Sequence, residues 1–476
     1  MRINKILSVI LYLYIFLPFL IFLAGWIKPC IAFPALFLFA LGLFYMTKTL
    51  PQKFQLPEAK IIIVAIIIIA FWTYLSGIGG FVFQNSDHLW RNATFEALVN
   101  NTWPVRKEIY ENEQAITKSL IYYIGFWLPS SIIGKIFGIK LGYIFQYFWA
   151  VLGLFLFFCL VNQLTNKNFI LNVIIFIFFS GLDVVGVLIK NGTFLLTDTT
   201  QHIEWWSSFQ FSSMTTQLFW VFNQAIYAWV LTVLILLQDN NKTIIALWST
   251  GLLCCTLPFV GMIPYLLYVI IKNICINKRD AIKDIFSYYN IIMGGIIGIL
   301  SFLFLRGNSP NQNLGFAFCG KSIKGFVFGY LLFLILEVFI YFPLIYQITS
   351  NKKILILTGI VLTLCPLITV GDGYDFCMRA SIPALIVLYL FINNALQQIN
   401  LKSRKYILLV VLYLIGSITP IFEINRTCRE TLTRYQTNQP IHDGSVDESS
   451  LFIDSQYFSH YSGEINDSFF FEYLAK

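Results

Sequence analysis

The chain has 476 residues; 58% are hydrophobic, 17% aromatic and only 12% charged, with a formal net charge of +8. Soluble domains carry about 25% charged and about 45–50% apolar residues. These figures exclude a soluble globular protein, a disordered chain, a nucleic-acid-binding domain and a small disulfide scaffold, and leave a polytopic membrane protein.

A membrane span needs roughly 20 mostly apolar residues. In chain order the sequence predicts thirteen, at 6–25, 32–47, 61–78, 142–163, 169–188, 222–238, 243–257, 260–275, 288–305, 325–347, 354–370, 379–397 and 407–424. The pair around Pro258 reads equally as one broken helix. The run 61–70 holds no polar group, and lipid leaves such a run only the helix, whose backbone bonds are all internal. The expected fold is all-α, a membrane domain over 1–424 and an outer tail over 425–476.

The stretch 120–139 is apolar enough for a further span, but Pro129, Ser130, Ser131, Gly134 and Lys135 interrupt it, and Tyr122, Tyr123 and Trp127 suit a membrane interface. Parity discriminates the two. A spanning segment moves the polar loop 189–221 to the basic side; an interfacial one leaves every later loop in register.

On one side the short loops carry Lys and Arg with only Glu58, Asp239, Asp280 and Asp284 against them. The positive-inside rule makes that side, with the N-terminus, cytoplasmic. The excess charge is thus a topology signal and calls for no nucleic acid. Arg2 and Lys5 precede an apolar run without a small-x-small cleavage site, which reads as an uncleaved first span. The nine cysteines show no metal spacing; Cys30, Cys319, Cys377 and Cys428 lie outside the spans, where a disulfide is open to them.

The outer side holds the long loops 79–141, 189–221 and 306–324, the short loop 371–378 and the tail, together with all four histidines. Chemistry is expected there. Ser86 can cap a helix with Asp87 in its first turn, and Asp87 and Arg91 then share a face. Asp87 with His88 and Arg91 reads as a catalytic carboxylate with its polar neighbours, or as a cap plus an ion pair. In the second loop Asp198, His202 and Glu204 offer metal ligands without a recognised spacing. Trp205 and Trp206 suit either a sugar ring or an aromatic belt, and Asn223 and Gln224 sit at the mouth of a span. The segment GDGYDFCMRAS places Asp372, Asp375 and Arg379 at the lip of a helix, where the arginine can hold a phosphate or close an i,i+4 pair. Within the spans Glu337 is the clearly ionisable residue, fewer than an ion-coupled transporter needs.

An acidic residue in an outer loop after an early span, interfacial helices, many further spans and an outer tail resemble the GT-C superfamily of integral-membrane glycosyltransferases. The matching residues are SDH at 86–88 and, more loosely, the stretch 119–141. The sequence departs in having His88 where several families have a second acid, in the extra hairpin 6–47, and in lacking a WWD-type motif. The resemblance implies a polyprenyl-phosphate-linked sugar donor, a glycan or lipid acceptor, and a bacterial inner-membrane enzyme with Asp87 as general base. His88, Arg91, His202, Glu204, Asn223, Gln224, Asp372, Asp375 and Arg379 are then substrate contacts. No cofactor is required, although a divalent metal is compatible. An O-antigen-polymerase-like enzyme built on outer arginines, or a lipid-glycan flippase, are the competing readings. The tail, with Phe452, Tyr457, Phe458, Tyr461 and 469–471 as apolar anchors, is expected to form a small cap on the outer loops.

Overall fold

The computed structural model describes residues 2–49, 52–111, 114–195, 202–308, 314–319, 322–370, 375–398, 403–442, 444–453, 460–466 and 468–476. Its helices are α1 (Arg2–Trp26), α2 (Pro29–Thr49), α3 (Ala59–Leu75), α4 (Ser86–Asn100), α5 (Leu128–Phe137), α6 (Ile139–Thr165), α7 (Phe169–Ile177), α8 (Asp183–Asn191) and α9 (Met214–Leu236). They continue with α10 (Ile244–Ser249), α11 (Gly251–Cys254), α12 (Thr256–Gly261), α13 (Ile263–Ile285), α14 (Gly295–Arg306), α15 (Ile323–Leu334) and α16 (Phe342–Ile348). The last are α17 (Lys352–Leu364), α18 (Asp375–Ala380), α19 (Ile382–Leu396), α20 (Arg404–Gly416) and α21 (Ile418–Gln436).

The protein is a helical, multi-pass membrane protein. Among the described residues eight helices are long and apolar enough to cross a membrane: Asn4–Trp26, Pro29–Thr49, Ile139–Thr165, Met214–Leu236, Thr256–Ile285, Tyr289–Arg306, Ile323–Ile348 and Arg404–Gln436. The other expected spans are shorter or broken. Those at 61–78, 243–257 and 379–397 appear as Ala59–Leu75, Ile244–Cys254 and Ile382–Leu396. The segment 169–188 splits into α7 and α8, and α17 stops at Leu364 before a 3-10 turn. Hydropathy windows join apolar segments across such breaks because a break changes backbone direction and leaves composition alone. The stretch 120–139 holds a 3-10 turn, Ile124–Phe126, and the ten-residue α5, about 15 Å of helix, too short to cross.

Helix α9 is the centre of the bundle: 94% of its apolar window is buried, against 28% for α2, whose Phe33 and Phe37 face outward as lipid-facing residues do. Trp229 of α9 stacks on Trp72 of α3, ring centroids 6.2 Å apart.

Two small sheets interrupt the expected all-helical architecture. Strands β1 (Arg106–Glu111) and β2 (Gln114–Leu120) form a hairpin in the first outer loop. Strands β3 (Leu314–Phe316) and β4 (Ile368–Val370) pair antiparallel. Strand β5 (Ser462–Glu464), from the tail, adds to β2 with Ser119 opposite Gly463. Further on, Phe470 stacks on Phe22 at 5.9 Å, and the Lys476 N–H donates to the Trp26 carbonyl at 2.9 Å. The tail thus folds back on the loop 79–141 and on the α1–α2 turn. All nine cysteines are free thiols, so the disulfide open to the outer four is not formed.

Candidate functional site

Helix α3 leaves the bundle through the turn GIGG, in which Gly77, Gly79 and Gly80 take φ of 83°, 90° and 75°. Side chains with a Cβ rarely adopt that region, so the reversal that brings α4 back over the bundle depends on glycine. The cap of α4 is Asn85, whose side chain accepts from the Asp87 N–H at 3.1 Å; Ser86, the expected cap, is the first helical residue. Asn85 also donates to the Phe219 carbonyl at 2.8 Å, and His88 Nε2 lies 3.1 Å from the same oxygen. Helix α9 is kinked just beyond, at Val221 (φ −132°, ψ 32°). His88 is fully enclosed and stacks on Phe222; burial first, then the Arg91 charge, push its pKa down to about 3. With Nδ1 lying 3.4 Å from Gln84 Nε2, the neutral imidazole has both nitrogens engaged and positions α4 on α9.

Asp87 pairs with Arg91 at 2.9 Å; the carboxylate side chain is 39% exposed and the arginine beneath it 8%. Burial raises the Asp87 pKa, but the ion pair and hydrogen bond from Arg91, together with Arg379 and His88, outweigh it and hold the carboxyl below its ordinary value. Arg91 Nε donates to Asn223 Oδ1 at 3.2 Å, and its guanidinium lies over the Phe222 ring at 5.7 Å.

Arg379 comes from α18. Its Nη1 donates to the Tyr123 hydroxyl at 3.0 Å and pairs with Asp375 at 3.2 Å. Glycine lets α18 sit there, since a Cβ on Gly261 of α12 would lie 2.0 Å from the Ala380 carbonyl oxygen. Tyr122 and Tyr123, just after β2, are joined by a hydrogen bond between their hydroxyls. Tyr461 packs on Tyr122 at 4.6 Å and stacks on Trp90 of α4 at 5.7 Å, and His460 adjoins both tyrosines. Burial and Arg379 push the His460 pKa down to about 4, opposed by Asp375 and Asp87. Arg379, His460 and Tyr461 thus lie within the electrostatic reach of Asp87. Among the described residues Arg91 Nη1 and Arg379 Nε are buried donors without a hydrogen-bond partner. Arg91 beside this part-exposed carboxylate, and Arg379 within its electrostatic reach, thus each keep donor capacity for an anion.

The remaining predicted residues divide. His202 stacks on Trp205 at 4.5 Å and meets Trp220 edge-on at 5.0 Å. Burial and the Arg426 charge push its pKa down to about 3, with Asp87 opposing. Trp220 donates to Glu423 at 3.1 Å, and Glu423 pairs with Arg426 on α21. This platform lies beside the Asp87 site. Gln224 is buried with both amide atoms unpartnered among the described residues. Asp198 and Asp372 lie outside the described residues.

Glu204 turns away from the site. It accepts from Gln210 Nε2 at 2.6 Å and the Ser213 N–H at 2.8 Å. Burial, with Asp183 and then Glu423 nearby, raises its pKa to about 8. It shares the interior with Asp183, which accepts from Ser180 and Thr419, and with Glu337, which accepts from Trp206. Glu337 is therefore not alone inside the bundle, as hydropathy suggests; a Cβ on Gly181 would lie 1.8 Å from its Oε2, so this close approach also needs glycine. Among the described residues no three His, Cys, Asp or Glu form a metal-holding group.

Reading by spacing finds both i,i+4 pairs. It passes over Tyr122, Tyr123, His460 and Tyr461, which act through contacts between segments far apart in the chain. Glu423 and Arg426 carried a local signal, an i,i+3 pair, but the apolar window ends at 424 and puts Arg426 in the tail, whereas α21 runs on to Gln436. The chain matches no protein-family model, no curated protein and no solved structure.

Proposed function

We propose that the chain is a GT-C-like inverting glycosyltransferase moving a sugar from a polyprenyl-phosphate-linked donor to a cell-envelope glycan or lipid acceptor. In this reading it sits in the bacterial inner membrane with the N-terminus cytoplasmic and the Asp87 face outside. One observation carries the reading: Asp87, a part-exposed carboxylate held in its ionised form, is paired with Arg91 and lies within the electrostatic reach of Arg379, each arginine with a spare buried donor. An ionised carboxylate can accept the proton of an acceptor hydroxyl, whose oxygen attacks the sugar C1. The C1–O bond to phosphate breaks as the new C1–O bond forms, and the phosphate leaves with the electron pair. Its added negative charge is met by guanidinium groups already in place, with no reorganisation at the moment of reaction. Tyr123 and Asp375 hold Arg379 in position for that.

The test is a deletion strain complemented by wild type or by an equally expressed Asp87→Asn, with polyprenyl-linked sugars and surface glycans measured by mass spectrometry. Restoration of a missing sugar by wild type alone, with the lipid-linked donor accumulating in the variant, supports the reading. Full rescue by Asp87→Asn removes the proposed base.

A transporter reading gains one observation, the buried group Asp183, Glu204 and Glu337, since carboxyls inside a bundle are a usual part of proton and ion pathways. Under it Glu337→Gln abolishes function and Asp87→Asn leaves it intact.

A further inference from the structure

Helices α9 and α19 carry Asn223 and follow Arg379 at one end, and at their other end border a cavity of about 600 Å³. Leu236, which lines it, lies thirteen residues beyond Asn223 on α9, about 20 Å along the axis. The cavity therefore opens on the face opposite the Asp87 site, where the short basic loops lie. Along α19 its lining runs from Val387, Leu390 and Phe391 to Asn394 and Gln398, apolar in depth and polar at the rim.

Two cations from separate segments reach this rim: Lys167, just past the end of α6, and Lys272 of α13. No carboxylate is among the described residues that line it. Two other lysines of this face do meet acids, Lys242 with Asp284 and Lys283 with Asp280, each at 3.9 Å. Asn351, at the N-terminus of α17, also lines the rim, and its side chain makes no capping bond. The unmatched lysines and the open helix terminus favour an anion, and the apolar depth favours one that brings a hydrocarbon chain.

We propose that this cavity binds the phosphate of an anionic membrane lipid, with Lys167 and Lys272 on the phosphate and the chain along Leu390 and Phe391. The site is independent of the chemistry at Asp87, and its test reads binding instead of turnover. The full-length protein is reconstituted in nanodiscs of equimolar phosphatidylcholine and phosphatidylglycerol, and the lipid it retains on release is counted by native mass spectrometry. Wild type should retain phosphatidylglycerol in preference to phosphatidylcholine. Two lysines near a membrane surface predict that Lys167→Gln with Lys272→Gln weakens retention about 30-fold.

Lys167→Arg with Lys272→Arg keeps both charges and should keep the lipid, which separates loss of charge from loss of fold. Lys352→Gln with Lys353→Gln, on the same face but outside the lining, should have no effect. Retention that excess inorganic phosphate cannot displace supports the lipid as the source, and displacement by phosphate supports the same phosphate site filled by a free anion. Equal retention by wild type and the Lys167/Lys272 glutamine pair overturns the proposal, as does equal loss in the Lys352/Lys353 pair.

Discussion

At Asp87 burial and pairing pull in opposite directions, and pairing wins: burial raises the pKa, and Arg91 and Arg379 bring it below its ordinary value. Replacing it by Asn keeps the shape and removes the base, so sugar transfer should fall by roughly 10²–10⁴-fold with expression unchanged. Because the shift is downward, the acid limb of a rate–pH profile should fall below the ordinary value of 3.8. Loss of rate already near pH 6 would show that another group titrates. Arg379→Gln should cost roughly 10²–10³-fold, and Lys should rescue only in part, since one ammonium lacks the further nitrogens that the guanidinium keeps beyond Nη1, the one that serves Tyr123 and Asp375. Glu204 behaves oppositely. Its folded pKa of about 8 exceeds the ordinary 4.5, so the folded state holds a proton that the unfolded state releases. Its contribution to stability is complete below about pH 4.5 and is lost as pH rises through 8. Melting curves from pH 5 to 8.5 should show that decline, and Glu204→Gln should make it shallower. The Asp87–Arg91 and Asp375–Arg379 pairs were legible in the sequence because their partners lie one helical turn apart. That Arg379 reaches Tyr123 was not, since 256 positions separate them.

At the scale of elements, close backbone approach decides where the side chains stand. A Cβ on Gly463 of β5 would lie 2.0 Å from the Gly307 carbonyl oxygen. Gly463→Ala should therefore lift β5 from β2 and move His460 and Tyr461 off Tyr122, at about 1–3 kcal/mol in thermal unfolding. Activity should fall with it. An unchanged melting transition would mean that the tail contact contributes nothing to the fold. Long apolar helices were legible because twenty apolar residues have no other state in lipid. The β1–β2 hairpin was not, because RKEIYENEQAITKSL has charges on both faces and its pairing depends on β5, which comes from the far end of the chain. The breaks in α9 at Val221 and between α7 and α8 were equally hidden, since neither carries a proline.

For the whole molecule, orientation is open to a direct measurement. Cys30, Cys275 and Cys319 are exposed free thiols. With the N-terminus cytoplasmic, an impermeant maleimide should label Cys30 and Cys319 in intact cells and Cys275 only after permeabilisation; the reverse pattern would invert the topology. What the sequence determined by itself is the solvent of this protein and the order of its apolar segments. Hydropathy is a sum over neighbours in the chain, and lipid selects helix wherever that sum is high. Two local ion pairs at helix starts were determined in the same way. Tertiary structure alone decided that α4, α18, the Tyr122–Tyr123 corner and the tail meet around one carboxylate. It alone decided that Asp183, Glu204 and Glu337 share one interior, and that Lys167 and Lys272 face one cavity. Such meetings depend on glycine contacts, helix breaks and strand addition between distant segments, and local spacing carries no record of them.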